Sequence, residues 1–93
     1  MENQHRKISN YRELSQVEID LMNRIKQKGA ELLALRAEVL SHLAQQKQDA
    51  DSVDGGLARL IDAEPERWAA IAKTDIQTGV MALVRAVAQP AGV

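Results

Sequence analysis

This 93-residue chain has no cysteine, no phenylalanine, a single tyrosine (Tyr11), a single tryptophan (Trp68) and only two prolines. The missing cysteine rules out a disulfide, a thiolate nucleophile and a thiolate zinc site. With rings so scarce, the place of each becomes informative. Long apolar runs are missing as well. The uninterrupted stretches are a few residues, far short of the ~20 that cross a bilayer. The first seven residues, Met-Glu-Asn-Gln-His-Arg-Lys, lack the apolar centre of a signal peptide. The expectation is a soluble cytoplasmic protein with no membrane partner, and the length allows one domain.

Catalytic signatures are also wanting. There is no Ser-His-Asp set, no paired carboxylate and no glycine-rich phosphate loop. Gly55-Gly56 reads as a hinge. His5 and His42 are far apart and have no partner at metal-ligand spacing. Asp49, Asp51 and Asp54 share one segment but lack the glycine and terminal glutamate of a calcium hand, so a solvated loop is the better reading. No enzyme activity, metal or cofactor is expected.

The net charge of −1 conceals an uneven distribution. Residues 1–36 hold seven Lys/Arg against five Asp/Glu (+2), residues 37–66 two against seven (−5), and residues 67–93 three against one (+2). A duplex nucleic acid calls for a stronger, contiguous basic surface. A small anion needs only a few cations in one pocket.

The spacing of apolar residues predicts an all-α chain. Residues 1–8 are polar and read as a flexible arm, and Ser9 to Leu14 as one short turn. Ser15 and Glu18 form a Ser-x-x-Glu box that opens helix A. Leu14, Val17, Leu21, Ile25, Leu32, Leu35, Val39 and Leu43 follow three- and four-residue steps, placing helix A at 15–47. Its roughly 32 residues span about 48 Å. Residues 48–64 read as a loop with one short turn at Leu57 to Ile61. Pro65 at the first helical position and Glu66 behind it open helix B, placed at 65–88, and Pro90 marks its stop. Two helices joined by a polar segment fold back as an antiparallel hairpin.

Helix A carries a second apolar row beside the first: Ile19, Met22, Lys26, Gly29/Ala30, Leu33, Ala37 and Leu40. Helix B has a broad apolar arc widened by Ala69, Ala70 and Met81. Small chains bury little surface alone, and a stripe this wide asks for a partner. The expectation is an obligate homo-oligomer of hairpins. The rival is a monomer whose short turns cover the surplus.

Three groups of residues can carry binding chemistry. Tyr11 lies just ahead of the Ser15 cap, with Arg6, Lys7, Asn10 and Arg12 around it. A ring, cations and a helix start together can hold a base and a phosphate. Tyr11 can equally pack on helix A and pin the chain there. Lys26 interrupts the second apolar row. It either faces an oligomer seam or lays its stem along apolar surface with its head in water. Gly29 one turn on leaves space beside it. On helix B, Arg67, Thr74, Thr78 and Arg85 share one stripe, either an ordinary solvated face or a polar seam on a symmetry axis, with Arg67 near a helix N-terminus.

The run Asn10-Tyr-Arg-Glu-Leu-Ser15, continued by Glu18-Ile-Asp-Leu-Met-Asn23 and Ile25-Lys26, resembles the phage anti-CBASS cyclic-oligonucleotide sponges. The same hairpin motif occurs in part of the phage anti-Thoeris sponges. Arg67-Trp68, Ile71-Ala-Lys-Thr74, Asp75-Ile-Gln77, Gly79, Met81-Ala-Leu83 and Arg85-Ala-Val-Ala-Gln-Pro90 look like that family's second helix. The resemblance spans residues 10–90. It implies a compact hexamer of interlocked hairpins that sequesters cyclic di- and trinucleotides, such as 3′,3′-cGAMP, without cleaving them. Bacterial immune effectors then go unactivated in the cytoplasm of the infected host. The family's pocket tyrosine and phosphate-binding lysine fall on Tyr11 and Lys26. The N-terminal arm contributes around the ligand, which here means Asn3, His5, Arg6 or Lys7, and Asn10 beside Tyr11 joins the expected dinucleotide-binding residues. The trinucleotide pocket arginine falls on Arg67, with Thr74 on the same stripe. Arg24 is a bulky neighbour able to alter ligand choice.

Two other classes fit parts of the chain. A helical-hairpin adaptor docking on another protein explains the apolar rows but not Lys26 or the cationic arm. A nucleic-acid-binding regulator conflicts with the acidic middle.

Overall fold

A computed structural model describes residues 13–50 and 54–91. Among them are three helices: α1 (Gln16–Asp49), α2 (Gly56–Ala63) and α3 (Pro65–Ala88). The described residues contain no strand. The chain is an all-α hairpin in which α1 and α3 pack side by side. Gly29 meets Val80, and Arg36 meets Ala69 further along. Numbers rise on one helix as they fall on the other, so the pair is antiparallel.

Local chemistry sets the helix ends. Ser15 Oγ accepts from the Glu18 N–H at 3.2 Å, and a Glu18 carboxylate oxygen accepts from the Ser15 N–H at 2.8 Å. Each group satisfies a donor that the first turn leaves without an intrahelical partner. The segment read as a single turn at Leu57–Ile61 is instead the eight-residue helix α2. Left-handed residues bracket it. Gly55 (φ 73°) precedes it, and Glu64 (φ 50°) ends it and introduces Pro65. The expected loop is thereby largely helical.

Gln89 ends α3 at φ 49°, with its N–H donating to the Arg85 carbonyl at 2.8 Å. A side chain in this region costs about 1–2 kcal/mol that glycine avoids, less what glycine loses through its freer unfolded chain. Gln89→Gly is expected to stabilise the fold by about 0.5–1 kcal/mol, read from urea unfolding at fixed protein concentration. An unchanged or lowered midpoint would refute that account of the cap.

The hairpin seam corrects the two-row reading of helix A. Besides Glu18 and Gln46 near its ends, the sheltered residues of α1 are Met22, Ile25, Gly29, Leu33, Arg36, Leu40 and Leu43. These last seven follow three- and four-residue steps, and the apolar ones draw from both rows. The seam therefore runs between the rows and leaves an apolar flank on either side. Val17, Leu21, Leu32, Leu35 and Val39 remain exposed on one flank, and Ile19 and Ala30 on the other. On α3 the sheltered residues include Ala69, Ala72, Ile76 and Val80, with Val84 and Val87 beyond them.

Burial is correspondingly meagre. Among the described residues the buried apolar side chains are Ala50, Leu60 and Ala69, while Val17 is 67% exposed, Trp68 58% and Met81 69%. The radius of gyration is 20.5 Å over a 71 × 22 × 15 Å rod, against about 12 Å for a compact chain of this length. The accessible surface of 7225 Å² exceeds the roughly 5,400 Å² of a compact monomer of this mass. One hairpin cannot cover its own apolar flanks.

Arg36 lies within the seam, a residue that neither apolar row had included. Its Nε donates to the Ala69 carbonyl at 2.6 Å in a part-buried setting, while its aliphatic stem fills the contact. This tie fixes the first turns of α3 against α1.

Candidate functional site

Gly29 organises the end of the hairpin where Lys26 stands. A Cβ built on Gly29 would fall 2.5 Å from Val80 Cγ2, closer than packed carbons allow. The space expected beside the lysine is thus taken by Val80, and the glycine serves close helix approach. Gly29→Ala gains up to about 1 kcal/mol of helix propensity and loses about 1–3 kcal/mol to overpacking. The expected net loss is about 1 kcal/mol, largely recovered when Val80→Ala is added. Urea unfolding of the single and double variants checks this, and a stable single variant would refute the close-contact account.

On either side of the Gly29–Val80 contact lies a groove. Arg24 and Lys26 stand two residues apart, about 200° around the helix, so they face different ones. The larger, of about 620 Å³, is lined by Leu21, Arg24, Ile25, Lys28 and Leu32 of α1 with Asp75, Ile76, Gly79 and Leu83 of α3. Its cations have acidic company. Asp75 lines the same groove, and Lys28 Nζ lies 3.5 Å from Glu31. The Glu31 carboxyl is held below its usual pKa by the Gln27 amide, which donates to it at 3.1 Å, and by the Lys28 charge.

The other cavity, of about 480 Å³, is lined by Lys26 of α1, Leu14 ahead of it, Val80, Met81, Val84, Arg85 and Ala88 of α3, and Pro90. No carboxylate side chain is among the described residues of this lining. Lys26 is exposed and has no acidic partner among the described residues. Hydrocarbon walls can hold the face of a base, and an ammonium at the rim can hold a phosphate. The size lies within the usual range of small-ligand sites. The described lining holds no hydroxyl, thiol, imidazole or carboxylate side chain. No cluster of three or more potential metal ligands occurs among the described residues.

The remaining sequence-derived candidates divide. Tyr11, Asn10, Arg6, Lys7 and His5 lie outside the described residues, as does Asp51 of the acidic segment. Arg67 sits in the first turn of α3, 3.7 Å from Glu64, with its guanidinium 5.1 Å from the Trp68 ring centroid. Cation–π contact and ion pair together hold it at the exposed helix start. Thr74 is exposed one stripe position on. Thr78 Oγ1 donates to the Thr74 carbonyl at 2.9 Å, so its proton is engaged with its own helix in the single chain. Thirteen residues separate Arg67 from Val80, about 20 Å of helix axis. A single chain therefore does not bring Arg67 and Lys26 together. It does bring Arg85 to Lys26, a pairing that sequence reasoning missed. Antiparallel register is the signal that finds it: with 29 opposite 80, the residues before 29 lie opposite those after 80.

Fold and geometry together define a class: an α-helical hairpin with two uncovered apolar flanks and a cationic, apolar-walled cavity at one end. The chain belongs to the Acb2/Tad1 hairpin domain family, whose model matches residues 5–88. That is the family resembled by the runs quoted from both helices. The chain is also similar to Anti-CBASS protein 2 of Pseudomonas phage JBD67, 56% identical with 99% of each chain covered. No helix among the described residues is long and apolar enough to cross a membrane.

Proposed function

We propose that this chain is a phage anti-CBASS protein that captures the cyclic di- and trinucleotides of a bacterial immune pathway without cleaving them. It acts in the cytoplasm of the infected host, where captured messenger cannot reach its effector. The likeness to a named anti-CBASS protein along the whole length carries the proposal. The Lys26 cavity supplies a physical means.

In this reading the hairpins assemble as a hexamer, which covers the flanks that one chain leaves in water. The dinucleotide lies in a pocket shared by two chains. Lys26 holds a phosphate there, Tyr11 stacks on a base, and Asn10, Arg6, Lys7 and His5 close around the ligand. Arg67 and Thr74 form a separate trinucleotide site at the other end of α3. Capture needs affinity and copy number rather than turnover. A nanomolar complex holds its ligand by about 12 kcal/mol.

Calorimetric titration with 3′,3′-cGAMP and with a cyclic trinucleotide tests the reading. Saturable binding of both is expected, with each ligand recovered intact after denaturing the protein. Absence of binding to any cyclic di- or trinucleotide would end it. The exposed flanks alone would also suit an adaptor that docks on another protein. A stoichiometric protein partner together with no nucleotide binding would favour that alternative.

A further inference from the structure

We propose that Arg85 is a second phosphate-holding cation of the Lys26 cavity and sets its preference for dinucleotides. This rests on the reading above that the cavity takes a cyclic phosphodiester. Lys26 and Arg85 reach the same cavity of about 480 Å³ from facing helices, and the other described side chains of its lining are apolar. Two cations sharing a cavity with no carboxylate among its described lining residues raise its positive potential. A ligand with two phosphates and two ring faces complements both charges and walls. Lys26 supplies a point charge, whereas the planar guanidinium of Arg85 can bind two phosphate oxygens at once.

Arg85 also lies in the last turn of α3, where any cation favours the helix dipole. A residue with that role alone would alter stability without altering how binding depends on salt or ligand. Arg67, the arginine assigned to the trinucleotide, lies 18 residues back along the same helix, about 27 Å of axis. Arg85 should therefore act on one ligand class and not the other.

The test is calorimetry on the full chain at several ionic strengths, using 3′,3′-cGAMP and a cyclic trinucleotide as probes. Arg85→Met keeps an apolar stem and removes the charge, and Arg85→Lys keeps the charge and removes the fork. The methionine variant is expected to bind 3′,3′-cGAMP about 10-fold or more weakly, with a shallower salt dependence. Its trinucleotide affinity should stay within about twofold, which also shows that the assembly survives. The lysine variant should recover most of the loss. If wild type binds 3′,3′-cGAMP and Lys26→Ala weakens it while Arg85→Met binds within twofold at every salt, the inference fails and the functional reading stands. Equal loss of both ligands likewise overturns it in favour of a structural role. If wild type binds neither probe, the functional reading itself fails and this inference with it. Arg85→Gln provides the same comparison should the methionine variant not fold.

Discussion

Lys26→Ala is expected to weaken 3′,3′-cGAMP binding by at least about 100-fold while leaving the assembly intact. A charge-assisted contact contributes about 1.5–3 kcal/mol, and each tenfold in affinity corresponds to 1.4 kcal/mol. A pocket shared by two chains loses two such contacts in one substitution, so the effect is doubled in free energy. Stability should move by no more than about 0.5 kcal/mol, because Lys26 is exposed and has no acidic partner among the described residues. Tyr11→Ala is expected to act in the same direction through lost stacking. Calorimetry paired with sedimentation velocity separates binding from assembly. A lysine that only covers apolar surface would change affinity less than about twofold.

Leu35→Asp should have an equally large effect by a different route. Leu35 sits on the flank with Val17, Leu21, Leu32 and Val39 and is 52% exposed in the single chain. In an isolated hairpin the change would cost little, about 0.5 kcal/mol or less. In an assembly that buries the flank, an unpaired carboxylate costs several kcal/mol per copy. Symmetry repeats that cost at every equivalent interface. The expected result is dissociation at micromolar concentration, with dinucleotide binding lost alongside, because a shared pocket needs both chains. Sedimentation velocity reads the first consequence and calorimetry the second. An undisturbed oligomer would show that this flank faces water in the functional state.

These two outcomes rest on features of unequal legibility. The Ser15–Glu18 box, the Pro65 start and the stop before Pro90 are local arrangements, set by residues within one turn, and sequence reasoning finds them directly. The apolar rows of helix A were visible too, but not which residues the hairpin uses. Apolar residues cover more than half of that helix's circumference, so several packings satisfy the pattern equally. The seam lies between the rows, and only the facing helix decides that. Gly29 illustrates the same limit. Its cost to the helix is local and legible, whereas the Val80 methyl that requires it lies 51 residues away. The Arg36 bond to the Ala69 carbonyl and the meeting of Lys26 with Arg85 are similarly non-local. Sequence placed Arg85 on a stripe with Arg67. The register of the hairpin puts it beside Lys26 as well, without moving it from its helix.

The account joins self-association to capture, and native mass spectrometry of the protein with excess 3′,3′-cGAMP tests both at once. The expected species is a hexamer carrying three dinucleotides, one for each pair of chains, with the released ligand unchanged in mass. A ligand-free single chain, or a released ligand that has gained water across a phosphodiester bond, would contradict it.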